Sequence, residues 1–336
     1  MKIVKRLIPI MLCIVMLAAC LCGCSGKDAA ATSTETTTSK DTATSTETTI
    51  AKTVFPLTID NYGNEITITS TPKKVITAGP NCTELFIALG LQDYIIGNSC
   101  DNHAQAPLDE YKDAYDKIPE LTFGYPTIEA VVTSGADFLY AIDWVFGADF
   151  TTEALEKYGI VVYSNSASSV DEIFAEITDM GKIFGVENKA AEFIASQQAR
   201  INAATSKIKD QDKLKVFCYD SDTGSGVYTA GGPNIETELI GLAGGENIFS
   251  DLDKAWVGVS YEEILDRNPD AIIVHDYDTP SAEKKIEAIK NDPILSKLDC
   301  VKNERFIILP LEDAFPGSRT ADCVETIAKG LFPSSF

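Results

Sequence analysis

The chain has 336 residues, of which 45% are hydrophobic, and carries a formal net charge of −22. That length and apolar content support a real core, in one large domain or two lobes of ordinary size. The excess of acid argues against nucleic acid and against a broad footprint on anionic lipid, leaving small ligands, cationic partners or simple solubility.

In chain order, the first feature is an export signal. Lys2, Lys5 and Arg6 precede an apolar run from Leu7 to Leu21 that no charge interrupts. The run ends at Gly23-Cys24-Ser25-Gly26-Lys27, short of the roughly 20 apolar residues of a comfortable membrane span. Leu21-Cys22-Gly23-Cys24 resembles the lipobox of bacterial lipoproteins, in which the cysteine sulfur takes a diacylglycerol and becomes the mature N-terminus. Leu17-Ala18-Ala19-Cys20 also fits, but polar sequence begins directly after Cys24, which is therefore the preferred lipidation site. Residues 1–23 are expected to be the signal peptide, and their loss takes the net charge to −25.

Thr32 to Thr49 is almost all Thr and Ser, without an aromatic residue, and cannot bury enough apolar surface to offset its ordering entropy. Residues 24–54 are thus expected to form a flexible tether with a reach of about 30 Å, holding the folded part on the extracytoplasmic face of a membrane. Five cysteines fall in that folded part: Cys82, Cys100, Cys218, Cys300 and Cys323. They form no CxxC pair, which disfavours a zinc cage. Cys82–Cys100 and Cys300–Cys323 are candidate bridges, with buried free thiols as the alternative.

Leu57 to Ile68 alternates apolar and polar residues around an Asn61–Asn64 turn and predicts a hairpin. Lys74 to Gly79 reads as a buried strand and the next stretch, to Gly90, as a helix N-capped by Asn81 with Glu84 three residues on. Further strands are predicted at Tyr94–Gly97, Asp137–Ala141 and Ile160–Tyr163, with helices at Ile128–Ser134 and Thr151–Tyr158. Val170 to about Lys209 is helical with few breakers. The alternation then restarts: strands at Lys215–Tyr219, Ala271–Val274 and Phe306–Leu309, and helices at Ile235–Leu242, Tyr261–Arg267, Glu283–Lys290 and Cys323–Leu331. Strands alternating with helices imply parallel sheets. The expected fold is α/β, with Rossmann-like lobes at 55–185 and 211–336 joined by one long bridging helix at 186–210. Ligand belongs between the lobes, where both sheets present the C-terminal ends of their strands.

Several segments together resemble the solute-binding proteins of iron–siderophore, haem and vitamin B12 ABC importers. They are Thr71-Pro-Lys-Lys-Val-Ile, Thr83-Glu-Leu-Phe-Ile-Ala-Leu-Gly, Thr127-Ile-Glu-Ala-Val-Val, Gly244-Gly-Glu-Asn-Ile-Phe, Val259-Ser-Tyr-Glu-Glu-Ile-Leu and Pro316-Gly-Ser-Arg, and the likeness covers nearly everything from Phe55 onward. The resemblance implies a monomer that captures a metal chelate, most of all an iron(III)–siderophore, and passes it to an ABC permease and its ATPase. Corrinoid or haem is the alternative cargo; the chelate is cargo, and no cofactor is implied. The family's two docking glutamates, which engage arginines of the permease, fall on Glu129 and Glu262. Both also sit where the first turn of a helix favours Glu, and Ser260 with Glu263 reads as a capping box.

Loops after the strands supply the candidate ligand residues Asn81, Tyr125, Trp144, Trp256, His275, Tyr277 and Arg319. Flat rings suit a macrocycle or catecholate, and Arg319 suits an anionic chelate. His275 ends a strand, where it either ligates cargo metal or is a satisfied imidazole. With only His103 and His275, the chain lacks the histidine cluster that a bare metal ion requires, so the cargo is expected to be a chelate. No Gly-x-Ser-x-Gly elbow, Walker loop or Gly-x-Gly-x-x-Gly is present, so an enzyme such as a surface-anchored siderophore esterase has no support from motifs.

Overall fold

The computed structural model describes residues 53–277 and 279–336. The signal segment, Cys20, Cys24 and the tether as far as residue 52 lie outside the described residues.

The N-terminal lobe begins with a hairpin, β1 (Leu57–Asn61) and β2 (Asn64–Ile68). Asn61 pairs with Asn64, so the loop is Tyr62-Gly63, and both have positive φ (55° and 85°). That is the turn whose twist matches the flanking strands, and Gly63 accepts it without strain. The lobe continues with β3 (Val75–Ala78), α1 (Pro80–Ala88), β4 (Ile95–Ser99), α2 (Asp109–Tyr115), β5 (Glu120–Thr122), α3 (Ile128–Ser134), β6 (Phe138–Ile142), α4 (Thr152–Glu156) and β7 (Val161–Asn165). Its five strands pair in the order β5-β4-β3-β6-β7, all parallel.

Two helices follow, α5 (Val170–Phe184) and α6 (Glu187–Ile208). The predicted helical stretch is two helices: Gly185 adopts a left-handed φ of 69° and closes α5, and α6 falls close to the expected bridge at 186–210. Gly181 lets the two helices approach: a Cβ there would lie 2.8 Å from that of Ala190. The second lobe comprises β8 (Leu214–Tyr219), β9 (Ser221–Asp222), β10 (Val227–Ala230), α7 (Ile235–Leu242), β11 (Gly245–Asn247), β12 (Trp256–Val259), α8 (Tyr261–Arg267), β13 (Ala271–Asp276), α9 (Ala282–Asn291), α10 (Asp299–Lys302), β14 (Phe306–Pro310) and α11 (Thr320–Leu331). A parallel sheet has the order β11-β8-β13-β14, and a small antiparallel sheet the order β12-β10-β9.

α6 is the bridge. At 1.5 Å per residue its 22 residues span roughly 33 Å. It packs on α5 at one end, and its Arg200 holds α11 through a bidentate pair with Asp322 (2.7 and 3.1 Å) and a contact to Glu325 (3.0 Å). The buried Gln197 side chain accepts a bond from the Ala321 backbone N–H, one of the donors that the start of α11 leaves unpaired. A single apolar core runs from the first sheet through α5, α6 and α11 to one face of the second sheet; a smaller cluster covers the other face. Lobes that share a core and a helix form a comparatively stiff frame.

Two local expectations are corrected. Asn81 is not an N-cap: α1 starts at Pro80, whose missing N–H costs nothing in a first turn, and Gly79 precedes it. The five described cysteines are buried free thiols, with neither Cys82–Cys100 nor Cys300–Cys323 bridged, and they pack as small hydrophobes.

Candidate ligand-binding cleft

Both parallel sheets end their strands at one cleft. β4 runs into the loop that carries His103, β5 leads to Tyr125 and β6 to Trp144. From the other lobe, β8 delivers Asp220, β10 Tyr228, β12 Trp256, β13 Tyr277, and the turn after β14 Leu311 and Phe315. These side chains enclose a cavity of about 220 Å³. Its walls are rings in mutual contact. His103 lies 4.6 Å from Trp144 and is stacked at 6.4 Å on Tyr277; Tyr125 stands edge-on to Trp144 at 5.5 Å; Tyr228 stacks on Trp256 at 5.9 Å. A smaller space of about 80 Å³ adjoins it, sharing Trp144, Trp256 and Phe315 and continuing past Asn165, Ser166 and Asn234. On the other side of the His103 loop a volume of about 380 Å³ is lined by the acids Glu84, Asp101, Asp116 and Glu120, by Tyr115 and Phe123, and by Arg319.

Of the seven predicted ligand residues, the structure gathers Tyr125, Trp144, Trp256 and Tyr277 around the aromatic cavity, places Arg319 on the wall of the 380 Å³ volume, and puts Asn81 and His275 in neither. His275 is wholly buried. Its Nδ1 meets Asp220 at 3.2 Å and its Nε2 meets Glu236 at 2.9 Å, so neither nitrogen is left for cargo metal. The side chain that reaches the cavity is its partner Asp220, which also accepts bonds from Ser221 and from the Tyr277 hydroxyl. Burial alone would lower the His275 pKa, but the Glu236 charge and the bonds to Asp220 and Glu236 outweigh it and push the value up to about 10. For Asp220, burial is likewise opposed and outweighed by the His275 imidazolium, which holds the carboxyl below its ordinary range.

A raised folded-state value means that the imidazolium's contribution is complete below the unfolded value of about 6.5 and is lost as pH rises through about 10. The stability advantage of the wild type over a His275→Gln variant should therefore shrink between pH 7 and pH 10. Denaturant titrations across that range check this, and an advantage that stays level or grows would contradict it.

Arg319 is also a structural group. It is 5% exposed and grips Glu84 of α1 through Nε and Nη2, both at 2.6 Å, while Nη1 meets Asp313 at 2.9 Å and Glu312 at 3.4 Å. Its Nη2 also donates to the Ala106 carbonyl, so one guanidinium fastens the second lobe to α1 and the His103 loop of the first. Asn81 makes a parallel tie, donating to Pro316 O (2.8 Å) and to Asn165 Oδ1 (2.7 Å), and Asn165 donates in turn to the buried Glu176. Burial pushes the Glu176 carboxyl up to about 7, against bonds from Tyr62, Asn165, the Ser166 backbone and Tyr140. Arg319 and Asn81 thus set the geometry of the cleft from beneath it.

Sequence reasoning missed His103, Tyr228 and Leu311 as cleft residues. His103 was within reach of the rule that found the others, because it follows the end of a buried parallel strand. Tyr228 was not, since β9 and β10 have only two and four residues, too few for a period of two to register. The close contacts of this small sheet need glycine: a Cβ at Gly226 would lie 2.0 Å from the Val259 carbonyl oxygen.

Glu129 and Glu262 are exposed in the first turns of α3 and α8. Thr127 caps α3 and the Ser260–Glu263 capping box closes α8, so neither cap uses either glutamate.

The profile of the periplasmic binding proteins matches residues 75–312, the span that holds both sheets and the bridge between them. The chain belongs to that family. Among the family's members, an uncharacterised ABC transporter substrate-binding lipoprotein of Bacillus subtilis is 27% identical over 289 residues, covering 84% of this chain and 88% of its own length. A vitamin B12-binding protein of Vibrio vulnificus is 24% identical over 70% of this chain and 80% of its own. The crystal structure of a periplasmic binding protein from Veillonella parvula superposes with a TM-score of 0.73 at 26% identity, over 82% of this chain and 97% of that one. In this chain the ring-lined cavity takes side chains from both lobes. Among the described residues no helix is long and apolar enough to cross a membrane.

Proposed function

We propose that this chain is the extracytoplasmic receptor of an ABC importer, capturing an iron(III)–siderophore in the ring-lined cleft and delivering it unchanged to the permease. The observation that carries the reading is the cavity itself, since each lobe supplies about half of its aromatic wall. Rings offer a chelate apolar faces and hydroxyls at modest entropic cost, and burial of those faces drives capture. A corrinoid is the second reading, favoured by the Vibrio vulnificus relative named for vitamin B12 binding. In either case Cys24 carries the lipid, and the tether keeps the receptor at high local concentration beside its permease, so weak docking suffices. Glu129 and Glu262, one on each lobe, dock the permease by charge-assisted contacts to arginine, which fix orientation as well as attraction.

Both tryptophans of the chain, Trp144 and Trp256, line the cavity. Intrinsic fluorescence is therefore a report from the site. Titration with ferric siderophores, haem and corrinoids should quench it saturably for one class, and Trp256→Ala should weaken that binding by roughly tenfold or more. Quenching by none of the panel would sink the proposal.

A further inference from the structure

The charge on the cleft restricts the charge of what it can hold. Along the two adjoining cavities the acidic wall residues, among the described residues, are Asp220 and Asp143; His103 is the one imidazole on the wall, and no Lys or Arg joins them. Cations lie close by, but they are committed. Arg319 is bound to Glu84 and Asp313, and the buried Lys285 donates to the carbonyls of Asp220 and His275 with its Nζ 4.1 Å from the centre of the Tyr277 ring. The His275 ring sits beneath Asp220, between it and Glu236, and is itself wholly buried.

The Asp220 carboxylate is positioned as carefully as a structural group. His275 Nδ1 (3.2 Å), Ser221 Oγ (2.9 Å) and the Tyr277 hydroxyl (3.1 Å) hold it, and it still presents a face to the cavity. Such a built site keeps a negative charge where cargo must pack. Ferric tris-catecholates are formally trianionic and would meet that carboxylate with no Lys or Arg on the cavity wall; the His275 imidazolium that pairs with Asp220 is wholly buried beneath it and shared with Glu236. Ferric tris-hydroxamates are neutral, or cationic when they bear a pendant ammonium, and their free N–H groups can donate to the carboxylate.

We infer that the cleft selects uncharged or cationic chelates over anionic ones, and that Asp220 sets this selectivity. The inference rests on the chelate-capture reading above.

Equilibrium dialysis of the mature protein at about pH 8, where Asp220 and its buried partner His275 both keep their charges, tests it with iron-labelled probes. The probes are a neutral ferric tris-hydroxamate, an ammonium-bearing one and a ferric tris-catecholate, with a corrinoid alongside. Both hydroxamates should bind at least about tenfold more tightly than the catecholate. Asp220→Asn should reduce that preference to within about threefold, whereas Asp220→Glu, which keeps the charge, should retain it. Asp143→Asn supplies a second neutralisation, away from the His275 pair, and should narrow the gap in the same direction by a smaller factor. A catecholate that binds the wild type as tightly as the hydroxamates would overturn the inference. So would a preference left intact in a folded Asp220→Asn variant. Binding of none of the four would instead bring down the chelate-capture reading, and this inference with it.

Discussion

Replacing Arg319 with alanine should lower the free energy of unfolding by about 3–5 kcal/mol. The guanidinium is 5% exposed and faces three carboxylates, Glu84, Glu312 and Asp313. Removing it leaves them buried without a counter-charge, and that penalty exceeds anything gained by relaxing the local packing. Burial already pushes Asp313 up to about 6 and Glu312 upward, so the variant should take up protons and lose most stability at neutral pH and above. Arg319→Lys should recover only part of the loss, since an ammonium cannot make the paired contacts to Glu84 together with those to Asp313 and Ala106. Denaturant unfolding read by fluorescence measures each difference. If Arg319 were instead a ligand contact, the alanine variant would keep its stability and lose affinity, and that result would reverse the assignment made here.

The second large effect concerns transport. Glu129→Ala combined with Glu262→Ala should cut cargo uptake by roughly 100-fold in cells while leaving solution affinity for the ligand unchanged. Both carboxylates are exposed, both lie outside the helix caps, and neither lines the cleft. Each single variant should fall between, because one remaining contact still attracts the permease but no longer fixes orientation. The Ser260–Glu263 box should keep α8 intact, so thermal stability should move by no more than about 0.5 kcal/mol. Lost ligand affinity in the double variant would place these glutamates in the cleft's support and not at a docking face.

The lobes were legible because their strands are buried on both faces and alternate with amphipathic helices of ordinary length. Phe138–Ile142 and Ala271–Val274 are continuous apolar runs and Val75–Ala78 is interrupted only by Thr77, a pattern that parallel sheets produce. The hairpin was legible from its alternation and from Tyr62-Gly63. What escaped was set by tertiary contact. The boundary at Gly185 was legible, but not the close approach of α5 and α6 at Gly181, which only the packing reveals. Tyr125, Trp144 and Tyr277 were legible because they follow strands whose ends face the cleft, although Phe146 in the same loop as Trp144 packs on Phe150 instead. His275 and Arg319 stand in equally suggestive positions, yet their partners, Glu236, Asp220 and Glu84, lie 39, 55 and 235 residues away. A buried charge calls for a partner, but one sequence does not say which acid will meet it. Asp220 follows a strand and so stood at an expected cleft position; its pairing with His275 is what only the fold reveals.

Native mass spectrometry of the mature, lipidated protein titrated with the chelate panel tests the central claim most directly. One chelate should bind per chain and be released at its original mass. Absence of a complex with every ferric siderophore, haem and corrinoid tried, or release of a chemically altered ligand, would contradict it.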